Sequence, residues 1–429
     1  MRDFGRSDDP AVQAQLDRLA GLSVPQGRLG LQAITALLER LGNPHLSLPP
    51  VFHVAGTNGK GSVCAFLTAM LEAGGKRVHV TTSPHLVRYN ERLRLAGELI
   101  EDDALAALLK EVLNASEGIG ASFFEVTIAA SFLAFSRAPA DACVIEVGLG
   151  GRFDATNVLP RPAACGIAAL GMDHERFLLA PEQGTPEHPL ARIAFEKAGI
   201  AKRGSSLMTL SYPPEAELEI ERVAMTRGAP LAMPGRHWSM SATETALHYA
   251  DRHGELVLPL PSLPGAHQVE NAALAVAMLR HQDYVTVSRE AMARGIRVAK
   301  WPARLQRLAP GPLTGDRTVW LDGGHNPSAG EVLARHFAGK GVHLIIGMIE
   351  SKSPEAFLAP LRPSLASITV VPVPGHDCHT ARAFGEVAKA ADGVSDALAA
   401  LPDDGLPVLI SGSLYLAGDV LRLNNEIPD

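Results

Sequence analysis

The sequence has few cysteines, no long apolar run and no excess of positive charge. Its four cysteines lie far apart and form no CxxC pair, and burial as small apolar residues is the favoured interpretation for three of them. No stretch reaches the roughly 18 apolar residues of a membrane span, and the N-terminus contains no signal-like apolar segment. The formal net charge is −7, with both signs mixed along the chain, which argues against a nucleic-acid-binding face. We therefore expect a cytoplasmic protein without nucleic-acid or membrane partners.

The remaining composition is typical of a globular protein with a sizeable core. At 429 residues, of which 46% are hydrophobic and 20% charged, the chain is long enough for two domains or three. Its 40 glycines and 31 prolines are dispersed, which suits tight connections between strands and helices. The organisation restarts near residue 300, so the sequence predicts a first domain at 1–298, with N-terminal helices, and a second at 299–429.

Short apolar segments alternate with segments of helical periodicity. The predicted helices are two pieces within 11–42, one that runs through Leu71 and stops at Gly74-Gly75, 125–136, 328–337 and a last one from Leu414. The predicted strands are 51–55, 77–81, 143–147, 318–322, 342–347 and 408–410, with an antiparallel excursion within 236–260. This alternation predicts an α/β fold, with a doubly wound, mainly parallel sheet first and a smaller Rossmann-like α/β domain after it.

A glycine-rich turn joins the first predicted strand to the following helix. It reads Gly56-Thr57-Asn58-Gly59-Lys60-Gly61-Ser62. In such a turn, backbone N–H groups and the helix N-terminus bind a polyphosphate, the lysine reaches the β- and γ-phosphates, and the serine hydroxyl ligates Mg²⁺. Gly61 separates Lys60 from Ser62, unlike the GxxxxGK[ST] pattern, and a glycine-rich turn that binds nothing is the alternative. We expect a nucleotide site here.

Three residues near predicted strand ends or in a helix can be interpreted from the sequence alone. Glu146 ends a buried strand, where a carboxylate is either a Mg²⁺ ligand or a capped or ion-paired glutamate. His174 follows Asp173, and it fits a general base or a hydrogen-bonding residue better than a Mg²⁺ ligand. Lys197 has the pattern of a solvent-exposed helical lysine.

Further motifs follow one another between about residue 30 and about residue 420. They are Thr82-Ser83-Pro84-His85-Leu86, Asn90-Glu91-Arg92, Phe123-Phe124-Glu125, Glu146 to Asn157, Asp173-His174, Glu196-Lys197-Ala198-Gly199-Ile200, His267-Gln268, Asn271-Ala272, Arg304-Leu305, Asp322 to Pro327 and Gly412-Ser413-Leu414-Tyr415. With the glycine-rich turn, this ordered set resembles the folate branch of the Mur ligase superfamily, the bifunctional dihydrofolate synthase/folylpolyglutamate synthase family.

The resemblance implies an activity and its ligands. It implies a carbon–nitrogen ligase that joins L-glutamate to dihydropteroate, to reduced (poly)glutamyl folates or to both. The acceptor carboxylate would be phosphorylated by ATP to an acyl phosphate, and the products would include ADP and phosphate. The implied cofactors are ATP and two Mg²⁺ ions. The second domain would be the glutamate-ligase domain, and we expect a monomer.

The resemblance also implies roles for individual residues. The implied catalytic residues are Lys60, His174 and Lys197, the last carbamylated by CO₂, which requires a buried, uncharged amine. The implied Mg²⁺ ligands are Ser62, Ser83, Glu146 and His174. The implied nucleotide-binding residues are the seven of the glycine-rich turn, Asn271, Arg304, Asp322 and His325. The implied acceptor-binding residues are His85, Phe123, Phe124, Glu125, Phe153, Asp154 and Ala155. Core packing for one phenylalanine, and strand-end capping for Asp322 and His325, are the alternatives.

One segment departs from the family pattern. His174 and Lys197 lie 23 positions apart (197 − 174), where the family has a compact turn, so we expect a surface insertion at 175–192. Two other functions are kept as alternatives. A Mur-type amino-acid ligase would act on a peptidoglycan precursor, and a P-loop NTPase switch would hydrolyse nucleotide without glutamate or a pterin.

Overall fold

The computed structural model describes residues 5–22 and 30–428, and the chain divides into two compact units. The first unit consists of the chain up to Ser262 together with Gln268–Lys300. The second consists of Leu263–His267 together with the chain from Trp301 onward. The domain division between residues 298 and 299 stays a prediction.

A large mixed sheet organises the first unit. Its strands and those of a smaller sheet are β1 Val51–Ala55, β2 Val78–Thr81, β3 Leu93–Leu95, β4 Glu98–Leu99, β5 Ala142–Glu146, β6 Ala164–Ile167, β7 Ser206–Thr209, β8 Leu231–Ala232, β9 Trp238–Ala242, β10 Ala246–Asp251 and β11 Gly254–Pro259. Over the described residues, the large sheet has the order β4-β3-β2-β5-β1-β6-β7-β8. It is parallel from β2 to β8, whereas β3 pairs antiparallel with both β2 and β4. The strands β9 to β11 form the predicted antiparallel excursion.

Helices pack on both faces of this sheet. They are α1 Pro10–Ala20, α2 Gln32–Arg40, α3 Lys60–Ala73, α4 Asp102–Ala115, α5 Phe123–Arg137, α6 Glu175–Leu178, α7 Pro189–Ala198, α8 Pro214–Arg227, α9 His267–Arg280 and α10 Arg289–Val298. Cys165 of β6 packs with α7, and its neighbour Gly166 lies against Met278 of α9. Because successive strand residues face opposite sides, α7 and α9 cover opposite faces, as a doubly wound sheet requires.

The second unit has its own sheet. Its strands are β12 Gln306–Arg307, β13 Val319–Leu321, β14 Val342–Ile346, β15 Leu365–Val370, β16 Lys389–Ala390 and β17 Val408–Ser411, and its helices are α11 Pro327–Phe337, α12 Pro354–Leu358, α13 Val394–Ala399 and α14 Leu414–Leu423. The strand order is β12-β13-β17-β14-β15-β16 within the described part of the chain. All pairs are parallel except β12 with β13, which agrees with the predicted Rossmann-like domain.

The structure confirms the predicted elements around the glycine-rich turn and corrects the predicted insertion. β1 occupies 51–55 as predicted, and α3 ends at Ala73, before Gly74. Within 175–192, however, α6 forms and α7 already begins at Pro189, and Arg192 is buried. This segment is therefore not purely a surface insertion. The predicted helical region at 11–42 includes residues 23–29, which lie outside the described residues.

No helix in the described ranges is both long enough and apolar enough to cross a bilayer.

Candidate functional site

The glycine-rich turn places Lys60 at the start of α3. β1 is buried along its whole length, and Gly59 turns the chain with a φ of +83°. The Lys60 Nζ donates to the carbonyl oxygens of Gly56 at 3.2 Å and Thr57 at 3.5 Å. The Lys60 amine therefore lies over the turn, where the first N–H groups of a helix favour an anion.

The segment after β6 holds one side of this turn. The backbone amides of Thr57 and Asn58 both donate to the Ala169 carbonyl, at 2.8 and 3.2 Å. The Thr57 hydroxyl lies 3.0 Å from the Gly171 carbonyl. These two amides are thus occupied by protein, and donors for a polyphosphate must come from Gly59 onward.

Two amide side chains of α9 hold the other side. Gln268 Nε2 donates to the Ser62 Oγ at 3.2 Å, and Asn271 Nδ2 donates to Gln268 Oε1 at 3.0 Å. A Cβ on Gly59 would lie 2.6 Å from Asn271 Oδ1, so only glycine allows this close approach. The predicted nucleotide residue Asn271 is therefore part of the support of the glycine-rich turn.

Glu146 lies at the carboxyl end of β5, beside the turn. Its side chain is buried, with one oxygen 4.0 Å from Lys60 Nζ. The Ser83 amide donates to its other oxygen at 3.2 Å. The structure thus brings together Glu146, Ser83 and Lys60, three residues that the sequence placed at the metal and phosphates.

Lys197 is buried near the end of α7, contrary to the solvent-exposed helical lysine suggested by the sequence alone. Its Nζ donates to the Gly56 carbonyl at 2.9 Å. Burial, followed by the nearby charge of Lys60, lowers the pKa of Lys197 to about 7, while Asp173, Asp154 and Glu196 act in the opposite direction. A substantial fraction of this amine is therefore uncharged at neutral pH.

His174 lies next to a carboxylate in the loop before α6. Its backbone is left-handed, with a φ of +53°, and its amide donates to Asp173 Oδ1 at 2.7 Å. Its Nε2 lies 4.0 Å from Asp173 Oδ2, and a third of the side chain is exposed. This arrangement fits a hydrogen-bonding histidine, and its role as a metal ligand stays a prediction.

The two predicted acceptor-binding phenylalanines begin α5. Phe124 lies against Gly148, where a Cβ would be 2.3 Å from its ring. Phe123 packs edge-on against Tyr89 at 6.2 Å and lies beneath the Arg92 guanidinium at 5.5 Å. Phe123 is thus held among neighbouring side chains, whereas Phe124 lies on the loop that follows β5.

Glu125 and His85 have local partners. Glu125 forms a capping box with Ser122, because its Oε2 accepts from the Ser122 amide at 2.8 Å and hydroxyl at 2.7 Å. His85 is buried, and its Nδ1 accepts from Arg92 Nε at 2.8 Å. These contacts account for both residues structurally, and their acceptor-binding roles stay predictions.

The turn at 153–155 places a buried carboxylate close to the two lysines. Asp154 accepts from the Leu149 amide at 2.8 Å, and its charge acts on both Lys60 and Lys197. Burial raises the pKa of Asp154. Phe153 stacks under the Arg152 guanidinium at 4.2 Å, and Ala155 is buried.

The second unit carries its predicted residues at the end of β13. Asp322 accepts from the amides of Leu305 at 2.8 Å and Gly324 at 2.7 Å, and burial raises its pKa. Arg304 acts electrostatically on Asp322, and His325 Nδ1 lies 3.2 Å from the Gly323 carbonyl. The structure therefore brings together Arg304, Asp322 and His325. Asp322 makes the contacts of a strand-end cap, and the nucleotide-binding roles of the three residues stay predictions.

The oxygen atoms near the glycine-rich turn fit a hard cation that is ligated partly by the protein and partly by phosphates. Among residues 5–22 and 30–428, no group of three or more His, Cys, Asp or Glu side chains could hold a metal ion. Mg²⁺ is commonly held by one or two carboxylates together with substrate phosphates and waters. Glu146 supplies such a carboxylate, and Ser62 and Ser83 supply hydroxyl oxygens in the same region of the unit.

Sequence reasoning missed two supporting groups. Gln268 belongs to a quoted motif but was given no role, although it contacts Ser62 directly. His53 is a buried polar residue within an apolar strand, and its Nε2 lies 2.8 Å from the Thr156 hydroxyl. The signal for His53 was its polarity in the strand before the glycine-rich turn, but its partner is 103 positions away.

Comparisons of the sequence and of the structure with known proteins find relatives of the same kind. No family model matches the chain. The chain is 34% identical over 406 residues to the dihydrofolate synthase/folylpolyglutamate synthase of Escherichia coli K12, covering 92% of this chain and 91% of that one. The solved structure of E. coli FolC in complex with DHPP and ADP matches with a TM-score of 0.84 at 32% identity, covering 97% and 98%. A bifunctional folylpolyglutamate synthase/dihydrofolate synthase with Mn, AMPPNP and L-glutamate bound matches with a TM-score of 0.83 at 29% identity, covering 98% and 99%.

Proposed function

The chain belongs to the dihydrofolate synthase/folylpolyglutamate synthase family, and we propose that its site joins L-glutamate to both dihydropteroate and reduced folates. It is an ATP-dependent acid–amino-acid ligase with small-molecule substrates. One observation carries the assignment of the site. The amines of Lys60 and Lys197 both donate to the Gly56 carbonyl, at 3.2 and 2.9 Å, so two lysines meet at the glycine-rich turn.

In the first step, an oxygen of the acceptor carboxylate attacks the γ-phosphorus of ATP. The bond from that phosphorus to the bridging oxygen breaks, and ADP leaves with the electron pair. Lys60 neutralises charge on the phosphoryl group, and the N-terminus of α3 supplies N–H donors. The support given by Gln268 and Asn271 keeps the turn in place, so positioning and charge neutralisation supply the catalysis.

In the second step, the amino nitrogen of glutamate attacks the acyl carbon. A tetrahedral intermediate forms, loses a proton to water and expels phosphate to leave an amide. No side chain forms a covalent bond with the substrate in either step. Phe124 and Asp154 bind the pterin end of the acceptor in this proposal, by stacking and by accepting N–H groups.

Two Mg²⁺ ions would neutralise the phosphates and polarise the γ-phosphoryl group. Glu146, Ser62 and Ser83 supply oxygen ligands, and His174 would contribute to the second site. Lys197 would be carbamylated, and its burial and its pKa of about 7 support this proposal, because CO₂ reacts with the neutral amine.

The carbamate can be tested by ¹³C NMR. The protein is equilibrated with ¹³C-bicarbonate, and a carbamate resonance is expected that is lacking in Lys197→Ala. Exposed Lys110 supplies the matched control, because Lys110→Ala should retain the resonance. A spectrum that is identical for the unaltered chain and Lys197→Ala would overturn the modification.

The activity is tested by phosphate release from Mg-ATP and L-glutamate, with dihydropteroate or tetrahydrofolate as acceptor. Release that requires glutamate and occurs with both acceptors is the expected result. Release with a single acceptor would contradict the bifunctional assignment. Acceptor-independent hydrolysis would favour the NTPase switch, and activity restricted to a nucleotide-linked peptidoglycan precursor would favour the Mur-type ligase.

We also propose that the enzyme acts as a cytoplasmic monomer without nucleic-acid or membrane partners. The mixed charge pattern and the net charge of −7 support the absence of a nucleic-acid face. Light scattering during size-exclusion chromatography should give a mass close to the 45.4 kDa of one chain. A mass of twice that value would contradict the monomer.

A further inference from the structure

A hydrogen-bonded chain joins β1 to the turn at 153–155. His53 is fully buried in β1, between Phe52 and Val54, and its Nε2 lies 2.8 Å from the Thr156 Oγ1. The Thr156 hydroxyl lies 2.5 Å from Asp154 Oδ1, and the Thr156 amide donates to the same oxygen at 3.0 Å. Three residues from two separate segments thus form a continuous polar chain within the apolar interior.

The chemistry of the partners fixes the direction of this chain. A carboxylate accepts, so the Thr156 hydroxyl donates its proton to Asp154 and must itself accept from His53. His53 therefore carries its proton on Nε2. Its Nδ1 has no hydrogen-bond partner within the described residues. Burial and the charge of Lys202 lower the pKa of His53 to about 3, so the ring is a neutral donor.

The hydrogen-bonded chain ends at the Asp154 carboxylate, which interacts electrostatically with Lys60 and Lys197. Asp154 Oδ2 accepts from the Leu149 amide, whereas Oδ1 receives both donors of Thr156. Asp154 acts electrostatically on Lys60 and on Lys197. The orientation of this carboxylate is therefore fixed by its own loop and, through Thr156, by the strand that leads to the glycine-rich turn.

We propose that His53 and Thr156 are positioning residues that hold the Asp154 carboxylate in the orientation in which it binds the pterin end of the acceptor. This inference rests on the proposed function, because it takes the pterin as the group that Asp154 recognises. A buried histidine costs desolvation unless its donor is used, and here Thr156 accepts from that donor and in turn donates to Asp154. In this proposal both residues act through Asp154 rather than through a contact with the substrate or the nucleotide.

Two pairs of substitutions test this proposal. Glutamine places its amide nitrogen where the histidine Nε2 lies, whereas asparagine places it near Nδ1, so His53→Gln keeps the donor and His53→Asn removes it. Thr156→Ser keeps the hydroxyl and Thr156→Val removes it. For each variant, KM is measured separately for ATP, for glutamate and for the acceptor, and Tm is recorded.

A rise of about five- to tenfold in the acceptor KM is expected for His53→Asn and Thr156→Val, with the KM for ATP unchanged. His53→Gln and Thr156→Ser should stay within about twofold of the unaltered chain. Equal effects of Asn and Gln, or parallel changes in the KM values for ATP and acceptor, would overturn the proposal, because a residue that only stabilises β1 would disturb the glycine-rich turn as well. If His53→Asn does not fold, the threonine pair decides.

Assays of the unaltered protein distinguish a failure of the proposed function from a failure of this inference alone. If the unaltered protein releases no phosphate in response to any acceptor, the proposed function fails and this inference fails with it. If it is active and the substitutions show no selective effect on the acceptor KM, the inference alone fails.

Discussion

At the scale of single residues, Lys197 illustrates how burial changes the chemistry of a side chain. Its pKa is lowered from 10.5 to about 7 in the folded protein. Between these values the unfolded chain binds a proton that the folded chain does not, so the free energy of unfolding rises with pH across this range. We predict a rise of about 3–4 kcal/mol from pH 7 to pH 10 in CO₂-free buffer, measured by denaturant unfolding as the difference from Lys197→Met.

The control for this prediction is Lys110→Met. Lys110 is exposed, so the free energy of unfolding of this variant should depend on pH in the same way as that of the unaltered chain. A Lys197→Met variant with the same pH dependence as the unaltered chain would mean that Lys197 is charged in the folded protein. Carbamate formation would then require another explanation.

Gly148 makes a second prediction at this scale. A Cβ at this position would lie 2.3 Å from the Phe124 ring, so Gly148→Ala must displace the ring. We expect the acceptor KM to rise by about tenfold or more, the equivalent of roughly 1.4 kcal/mol, with the ATP KM unchanged in steady-state assays. Gly393→Ala is the control, because Gly393 has an extended backbone and, apart from its chain neighbours, no heavy atom of the described residues lies within 4 Å of its Cβ position. Equal acceptor KM values for the two variants would contradict the contact.

At the scale of elements, an ion-pair network joins the segment between α6 and α7 to α7 itself and to the loop that contains Arg152. Glu182 pairs with Arg152 and Arg192, and both arginines also pair with Glu196 of α7. The arginine side chains are 14% and 6% exposed, so solvent screens these pairs less than surface pairs. Arg152 precedes the 153–155 turn, and Glu196 precedes Lys197. The segment between α6 and α7 therefore links the 153–155 turn to the part of α7 that carries Lys197.

We predict that Glu182→Gln lowers the free energy of unfolding by about 1–2 kcal/mol, because two largely buried arginines lose a charged partner. Denaturant unfolding measures the loss, which should shrink less at high salt than the loss of an exposed ion pair would. Glu187→Gln, at an exposed position of the same segment, should have little effect. Equal stability of the two variants would mean that Glu196 alone satisfies both arginines.

The elements next to the glycine-rich turn could be predicted from the sequence, because local signals fix them. Buried β1 is a five-residue apolar run apart from His53, and α3 ends at a glycine pair. The start of α7 was missed, although Pro189 is a good first helical residue, because the family pattern suggested an insertion through residue 192. The burial of Lys197 and the contact of His53 with Thr156 depend on how distant segments meet, which no local pattern contains.

At the scale of the whole molecule, the four cysteines report on the two units separately. Cys64, Cys143 and Cys165 are buried in the first unit, and Cys378 is partly exposed in the second. Burial raises the pKa of the three thiols in the first unit, which suppresses their reactivity. We predict that Ellman's reagent modifies about one thiol in the native protein and all four in denaturant.

The three slow thiols should become reactive when the first unit unfolds, and Mg-ATP should slow their reaction, because ligand binding stabilises the folded state. Cys378→Ser is the control, since it should remove the fast reaction and leave the slow one unchanged. Rapid modification of more than one thiol without denaturant would contradict the burial of the three cysteines.

Strand β1 ends at Ala55, directly before the glycine-rich turn, and carries His53 two residues earlier. In the proposals made above, acceptor recognition through Asp154 and nucleotide binding at the turn depend on the same strand. Any coupling free energy between them must be reciprocal, so the factor by which a non-hydrolysable ATP analogue tightens acceptor binding equals the factor by which the acceptor tightens analogue binding. Calorimetric titrations in both orders measure this factor.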